Sequence, residues 1–442
     1  MRLRRLKLPL LALLPVLTLL APLTAPPSVS AQDEAEPVTI TVWLQQDDRR
    51  AAVDEDLIAQ FMADNPEIEV VLETFSPMNY DAVLRTALAA GVGPDLFSQW
   101  TGEIGQYYAE GRLAPFDPEA AGLEATSDLE TLYAPAPSLL AGGAFGGRLF
   151  AFPLDVSGYA CYTNDALWRD AGLDPARDFP DTWEAMRDVA EQLTVRDAQG
   201  AITQRGFDFN WSAPLFIWLQ FEPMVRQLGS ALVDEQTFTV TIDTPEAARV
   251  MAYWTDWANE WNLGGPDFED TRVSFLKGLL ATECTFGIGG AAQIEAAGID
   301  WSVHPVPTWA DAINENRGAV FANLLMVNAA SPPLARAAAW KLAWFLLDHP
   351  DRYYAEAGMF QPRAAFIDSD AFQDDPVLPF FLEQMATSFY PARVPAWMQI
   401  AEALAQGRTR VIVGDESVET MLRVVQAEVA DLVARARLAA EG

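Results

Sequence analysis

The segment from Arg148 to Trp168, RLFAFPLDVSGYACYTNDALW, decides how the rest of this chain is arranged. Its apolar start is broken by Pro153, the polar stretch Asp155 to Gly158 follows, and an apolar run resumes at Tyr159. Proline removes a backbone donor and fixes φ, which suits the end of a sheet, and the glycine tolerates a change of chain direction. The pattern fits either a bent edge strand or a crossing between two lobes.

The mature N-terminal part alternates between strand and helix patterns. Apolar residues recur with period 2 at Val38 to Val42 and at Ile68 to Leu72, and with helical spacing from Val53 and from Val83, before the apolar pair Leu96-Phe97. This β-α-β-α-β order predicts a parallel sheet with helices on its faces. Ligands of such sheets lie beyond the carboxyl ends of the strands, so the loops after Trp43 and Phe97 should border a cleft.

Length and the N-terminus set the class of protein. A chain of 442 residues is too long for one ordinary core, so two lobes are expected. Basic residues precede the apolar run Leu8 to Leu20, and Val29-Ser30-Ala31 offers a small-residue cleavage site, which predicts a secretory signal peptide over residues 1–31. No cysteine lies near that site. We therefore expect a soluble, extracytoplasmic or periplasmic protein, secreted across the inner membrane and not lipid-anchored.

The charge of the chain is strongly acidic. Residues 1–31 carry four positive and no negative charges, so their removal takes the formal net charge from −33 to −37. Such a surface repels phosphate backbones, which argues against nucleic acid as a partner. It favours solubility and leaves the charge of a local pocket open.

Several segments, in order, carry a resemblance to a known family. Arg148 to Leu193 contains aromatic-Ala-Phe-Pro, then Tyr-Thr-Asn, Ala-Gly-Leu-Asp and Phe-Pro-Asp-Thr-Trp-Glu, while Gly93 to Pro118 contains Gly-Pro-Asp and Tyr-Ala-Glu-Gly-Arg-Leu. Phe275 to Gly290 and Asp300 to Pro307 add a Phe-x-x-Gly segment and a strand ending in Pro-x-Pro. The chain resembles the family 1 extracellular solute-binding proteins, receptors of bacterial ABC importers that include maltose-type and multiple-sugar-binding proteins.

The resemblance implies a two-lobed α/β fold of the periplasmic-binding-protein type II class, with discontinuous lobes joined by a three-segment hinge. The crossings are expected within the opening segment, at Phe321 to Val327 and at Met359 to Ala364. The N-terminal lobe would comprise residues 32–156 and 322–362, and the C-terminal lobe residues 157–321 and 363–442.

A sugar receptor needs aromatic faces for the apolar side of a pyranose and planar polar groups for its hydroxyls. By position in the resemblance, the candidate ligand-binding residues are Gln45, Gln46, Asp47, Gln99, Trp100, Glu103, Asp155, Ser157, Trp211, Phe216, Asn323, Arg363 and Trp397. Where maltose-type proteins place a tryptophan after Gly289-Gly290, this chain has Ala291-Ala292-Gln293. This absence of a stacking platform argues against a maltose-like pose and favours a different or smaller solute.

The function implied is that of an ABC-importer receptor that binds a carbohydrate, an oligosaccharide or polyol, and delivers it to the permease transmembrane subunits as a monomer. No cofactor and no metal site is expected, since the chain has two histidines and no nucleophile elbow, Walker loop or dinucleotide fingerprint. Abundant carboxylates keep a secreted carbohydrate-active enzyme open, and a receptor for a non-sugar solute is the other alternative. Cys161 and Cys284 fit either a disulfide or two buried thiols.

Overall fold

The computed structural model describes residues 37–124, 128–414 and 416–441. The signal peptide predicted over residues 1–31 lies outside these residues. The β-strands are β1 Val38–Gln45, β2 Ile68–Phe75, β3 Leu96–Trp100, β4 Ala144–Phe145, β5 Arg148–Leu149, β6 Ala151–Gly158, β7 Ala160–Asn164, β8 Val195–Arg196, β9 Ile202–Phe207, β10 Val233–Asp234, β11 Thr239–Val240, β12 Leu280–Phe286, β13 Trp301–His304 and β14 Val320–Val327.

Helices cover the faces of the sheets and make up the C-terminal end of the chain. They are α1 Ala51–Asp64, α2 Pro77–Ala90, α3 Ile104–Ala109, α4 Asp128–Leu132, α5 Asp165–Asp170, α6 Pro175–Asp178, α7 Trp183–Leu193, α8 Glu222–Gln227, α9 Pro245–Asn259, α10 Thr271–Leu276, α11 Gly290–Ala296, α12 Pro333–Leu347, α13 Pro350–Ala357, α14 Ala364–Ile367, α15 Asp370–Gln373, α16 Leu378–Thr387, α17 Trp397–Gly414 and α18 Val418–Glu441. Thr101–Glu103 and Pro137–Gly143 are 3-10 helices, and Ile217–Phe221 is a π-helical turn.

The first large sheet has the strand order β2-β1-β3-β14-β6. β1 pairs in parallel with β2 and β3, whereas β14 is antiparallel to β3 and to β6. The predicted β-α-β-α-β start is therefore confirmed. Buried side chains of β1, α1 and α12, among them Val42, Leu57 and Leu342, pack together on one face of this sheet.

The second large sheet has the order β13-β7-β12-β9-β8. β7 lies between antiparallel neighbours β12 and β13, and β12 runs parallel to β9. Its core is rich in aromatic side chains, including the fully buried Trp218, Trp254 and Trp257. These rings pack against one another, so much of the aromatic content of the chain belongs to this core and not to a ligand site.

The quoted segment passes from one sheet to the other. β6 belongs to the first sheet and β7 to the second, with Tyr159 alone between them. The segment predicted as the second crossing, Phe321 to Val327, is instead most of β14, a strand inside the first sheet. The chain returns from the second sheet in the residues between β13 and β14.

Candidate functional site

Three strands of the first sheet, β3, β6 and β14, meet at one edge. Because β14 is antiparallel to both neighbours, its first half lies beside the carboxyl ends of β3 and β6. The register places Asn323 opposite both Trp100 and Asp155, and Phe321 opposite Ser157. Strand pairing thus brings together candidate residues that are more than 200 positions apart in sequence.

A cavity of about 510 Å³ lies between this edge and the loops of the second sheet. Its lining residues are Arg49, Trp100, Thr101, Gly102, Glu103, Asp155, Val156, Ser157, Tyr159, Leu215, Leu219, Arg272, Thr285, Phe286, Gly287, Ile288, Gly289, Gly290, Gln293, Phe321, Gly358, Met359, Phe360, Pro391, Trp397 and Met398. Five of the candidates predicted from the sequence line it, namely Trp100, Glu103, Asp155, Ser157 and Trp397.

Aromatic rings form a continuous part of the wall. The side chain of Trp100 is 43% exposed, and its ring centroid lies 6.2 Å from that of Phe321. Phe321 in turn contacts Tyr159 edge to face at 5.0 Å. Exposed aromatic area next to polar groups is the surface that a pyranose ring requires.

Two carboxyl groups of the cavity are perturbed by their surroundings. Burial raises the pKa of Glu103 to about 7, with a further increase from the negative charge of Asp81. Burial also raises the pKa of Asp155 to about 6, although the positive charge of Arg50 and a hydrogen bond from the backbone N–H of Asn323 oppose it. That hydrogen bond measures 3.2 Å to Oδ1. Both groups are placed to accept hydrogen bonds from hydroxyls.

The candidates on the loop after β1 lie beside the cavity. Asp47 binds the Nε of Arg49 at 3.0 Å, and Arg49 lines the cavity. Gln46 is exposed and donates to Asp48 at 3.1 Å, while Gln45 accepts a 2.9 Å hydrogen bond from Arg50 through its carbonyl. None of these three candidates lines the cavity, but Asp47 pairs with the lining residue Arg49 and, beside the larger effect of burial, its negative charge contributes to the raised pKa of Asp155.

Three candidates lie directly behind the wall. Gln99 is buried, donates to Asp81 at 3.3 Å and accepts the backbone N–H of Trp100 at 2.8 Å. Phe216 is buried with its centroid 6.3 Å from that of Tyr159, and Asn323 donates to Asp155 as described. They support lining residues and are not themselves part of the lining.

Two candidates lie apart from the cavity lining. Trp211 donates to Asp208 at 2.8 Å and packs against Trp254 at 5.5 Å. Arg363 pairs with Asp348 at 2.8 Å, and its guanidinium lies 4.5 Å from the ring centroid of Trp344. Both side chains are held by packing and hydrogen bonds within the fold.

Sequence reasoning missed Arg49, Tyr159, Arg272 and Phe321. No short motif marks them, because their side chains come together only where distant segments of the chain meet in the fold. A usable signal was present for Tyr159 and Phe321, since each is an aromatic residue at a junction where the chain leaves or enters the first sheet.

The two cysteines are joined in a disulfide beneath this wall. Cys161 of β7 and Cys284 of β12 have Cα atoms 3.9 Å apart and are separated by 123 positions in sequence. The pairing of β12 with β7 is irregular between Glu283 and Phe286, where Thr285 and Phe286 turn into the cavity lining. The disulfide therefore fixes the strand that carries this part of the wall.

Within the described residues, no helix is both long and apolar enough to cross a membrane.

Comparison with known proteins agrees with this architecture. Residues 45–353 match the family described as bacterial extracellular solute-binding protein. The maltotriose-binding protein of Pyrococcus abyssi is 21% identical over 398 residues, covering 88% of this chain and 81% of its relative.

Solved structures show the same fold. The cyclic alpha-maltosyl-1,6-maltose binding protein from Arthrobacter globiformis has a TM-score of 0.73 at 18% identity, covering 90% of this chain and 99% of the other. An ABC transporter solute-binding protein from Thermotoga lettingae, bound with alpha-D-tagatose, has a TM-score of 0.71 at 21% identity, covering 90% and 100%.

The fold and the cavity define a two-lobed α/β binding protein, which confirms the fold class predicted from the sequence. The chain belongs to the family of bacterial extracellular solute-binding proteins. This is the family that the sequence resembles, and it is a family of binding proteins.

Proposed function

We propose that this protein is the extracytoplasmic receptor of an ABC importer and binds a carbohydrate in the cavity between its two sheets. The observation that carries the proposal is the exposed face of Trp100 beside the carboxyl groups of Glu103 and Asp155. An aromatic face next to hydrogen-bond acceptors matches the two kinds of surface of a sugar. Two of the similar proteins described above are named for the oligosaccharides that they bind, which supports the same class of ligand here.

The receptor would act by closing its lobes over the solute and presenting it, unaltered and as a monomer, to the transmembrane subunits of a permease. The lobes would comprise residues 32–156 with 322–362, and 157–321 with 363–442. Hinge closure around a ligand is the known behaviour of periplasmic binding proteins. Small-angle scattering should then show a smaller radius of gyration with saturating solute than without it.

A thermal-shift screen against sugars and polyols tests the proposal, because a ligand that binds only the folded state raises its stability by mass action. We expect at least one oligosaccharide or polyol to raise the melting temperature in a concentration-dependent way. Amino acids, short peptides and glycerol derivatives form the second arm. A response confined to that arm would replace the sugar with a non-sugar solute.

A carbohydrate-active enzyme is the second candidate function, because Glu103 and Asp155 line one cavity and both have a raised pKa. The receptor proposal predicts that the best sugar ligand is recovered unchanged after prolonged incubation with the protein. Chromatographic detection of hydrolysis products that Glu103→Gln abolishes would favour the enzyme.

A further inference from the structure

The two sides of the cavity differ in charge. Four charged side chains line it in the described chain, and three of these, Arg49, Glu103 and Asp155, are on the side of the first sheet. Arg272, from α10, is the charged lining residue on the side of the second sheet. Arg49 is paired with Asp47, whereas no carboxylate of the described residues lies within 4.0 Å of the Arg272 guanidinium.

The guanidinium of Arg272 is held in one orientation. Its Nε donates to Thr285 Oγ1 at 3.1 Å, and its Nη2 donates to Tyr159 Oη at 3.0 Å and to the Thr285 carbonyl at 2.5 Å. Its Cζ lies 5.5 Å from the ring centroids of both Tyr159 and Phe216. Hydrogen bonds and aromatic contacts thus fix the group before a ligand arrives, which lowers the entropy cost of binding.

This arrangement leaves two donors of Arg272 for a ligand. A guanidinium has five N–H donors, of which the contacts above use three. In the described part of the chain, Nη1 makes no hydrogen bond with protein, and Arg272 itself is only partly buried. The two N–H groups of Nη1 therefore remain for a ligand in the cavity.

Two acidic groups lie near Arg272 without forming an ion pair with its guanidinium. They are Asp270 and the buried Glu283, which accepts the hydroxyl of Thr285 and whose pKa burial raises and the charge of Arg272 lowers. Asp270 accepts the backbone N–H of Arg272 at 3.0 Å, and Glu283 accepts the backbone N–H of Thr285 at 2.7 Å. The charges that act on Glu103 are those of Asp81 and Arg85, and those that act on Asp155 are the charges of Arg50, Arg49 and Asp47. A partly desolvated cation without an ion-pair partner is costly, and an anion in the cavity would offset that cost.

We propose that the solute is an acidic carbohydrate, and that Arg272 binds its anionic oxygen group through Nη1 while Glu103 and Asp155 accept hydrogen bonds from its hydroxyls. This inference rests on the proposed carbohydrate-binding function and deepens it. A uronic-acid carboxylate and a sugar phosphate share the required chemistry, since both are anions with several acceptor oxygens. The arms of the experiment separate the two sources.

Isothermal titration calorimetry tests the proposal with the full-length mature protein. The anionic probes are trimers of galacturonate, mannuronate and glucuronate together with glucose 6-phosphate, and the neutral controls are the galactose, mannose and glucose trimers and glucose. We expect at least one anionic probe to bind about tenfold to a hundredfold more tightly than its neutral counterpart, as a charge-assisted hydrogen bond allows. The preference should shrink as salt concentration rises.

Variants assign the preference to one side chain. Arg272→Gln should remove the preference for the anionic probe over its neutral counterpart, and Arg272→Lys should retain part of that preference. Arg187→Gln removes a positive charge outside the cavity and should leave the preference unchanged. Melting curves show whether each variant is folded, and the comparison of probes on the unaltered protein does not depend on any variant.

The outcomes separate this inference from the proposed function. Neutral trimers that bind as tightly as the acidic ones would overturn the role of Arg272 and leave the carbohydrate receptor standing. The same holds for an anionic preference that survives in Arg272→Gln. If neither the acidic nor the neutral sugars bind, the proposed function itself is overturned.

Discussion

Gly102 lies directly against the indole of Trp397, so that a Cβ at position 102 would come within 2.4 Å of its Cε2 atom. Gly102 belongs to the 3-10 turn after β3, whereas Trp397 begins α17. Trp397 also stacks on Trp218 with ring centroids 5.5 Å apart, and its carbonyl accepts the Trp218 indole N–H at 2.8 Å. The glycine thus allows a helix packed on the second sheet's core to touch the end of a strand of the first sheet.

The first prediction concerns this contact. Gly102→Ala should force the indole of Trp397 or the turn to move, because the ring is held from behind by Trp218 and has little room to yield. We expect a loss of about 1–3 kcal/mol in the free energy of unfolding, as for overpacked cores, together with weaker solute binding. Urea unfolding and calorimetry measure the two effects.

Gly414→Ala is the matched control, because a Cβ at the end of α17 would meet nothing within 4 Å. This variant should keep both stability and affinity. If Gly102→Ala behaved like Gly414→Ala, the contact with Trp397 would not constrain the cavity.

The second prediction compares two tryptophans. Trp100→Ala should weaken binding of the solute tenfold or more, which corresponds to about 1.4 kcal/mol, because it removes the exposed aromatic face of the cavity. Trp261→Ala is the control, since Trp261 packs on Tyr253 at 5.2 Å and is not part of this cavity lining. Equal losses in both variants would point to a general change of the fold and count against direct stacking.

The third prediction concerns the disulfide. Replacing Cys161 and Cys284 together by alanine should lower the free energy of unfolding by about 2–5 kcal/mol, since the bond closes a long loop in the unfolded chain. Urea unfolding of the double variant should match that of the parent protein under reducing conditions. Thiol counting on denatured, unreduced protein provides the check, and two free thiols per chain would rule the bond out.

The sequence predicted the local elements well and the long-range pairing poorly. Alternating apolar residues in β1 and β2 record a strand covered differently on its two faces, and that signal is contained in a few residues. The strand β14 has a nearly continuous apolar run, which gives no direction or partner. Its position between β3 and β6 follows from contacts across more than 150 residues, so the prediction of a crossing there was wrong.

The same limit applies to the site. Trp100 was identifiable because it stands at the end of β3, whereas Asp155 lies within β6 and was identified by its position in the family resemblance. Trp211 also stands among aromatic residues in the sequence, but its ring packs on Trp254 in the aromatic core. A sequence does not distinguish a ring that stacks on a ligand from one that packs within the core. Arg272 carries no motif, and its significance depends on Thr285 and Tyr159, which the fold brings to it from two other strand ends.

The last prediction uses Glu283, a fully buried carboxyl on β12. Burial raises its pKa from 4.5 to about 7, while hydrogen bonds from Thr285 and the charge of Arg272 oppose the increase. Below pH 4.5 the group is protonated in both the folded and the unfolded state. Between pH 4.5 and 7 the unfolded state loses the proton first, so this residue makes the protein less stable as pH rises, by about 3 kcal/mol in total.

Glu283→Gln has no proton to lose and retains an acceptor for the Thr285 backbone N–H. We expect the stability of this variant, relative to the parent protein, to increase by up to about 3 kcal/mol between pH 4.5 and pH 8. Urea unfolding at several pH values measures the difference. Glu295→Gln removes an exposed charge on α11 and should follow the parent curve. Parallel curves for Glu283→Gln and the parent would mean that the Glu283 carboxyl titrates alike in the folded and unfolded chain, contrary to its burial.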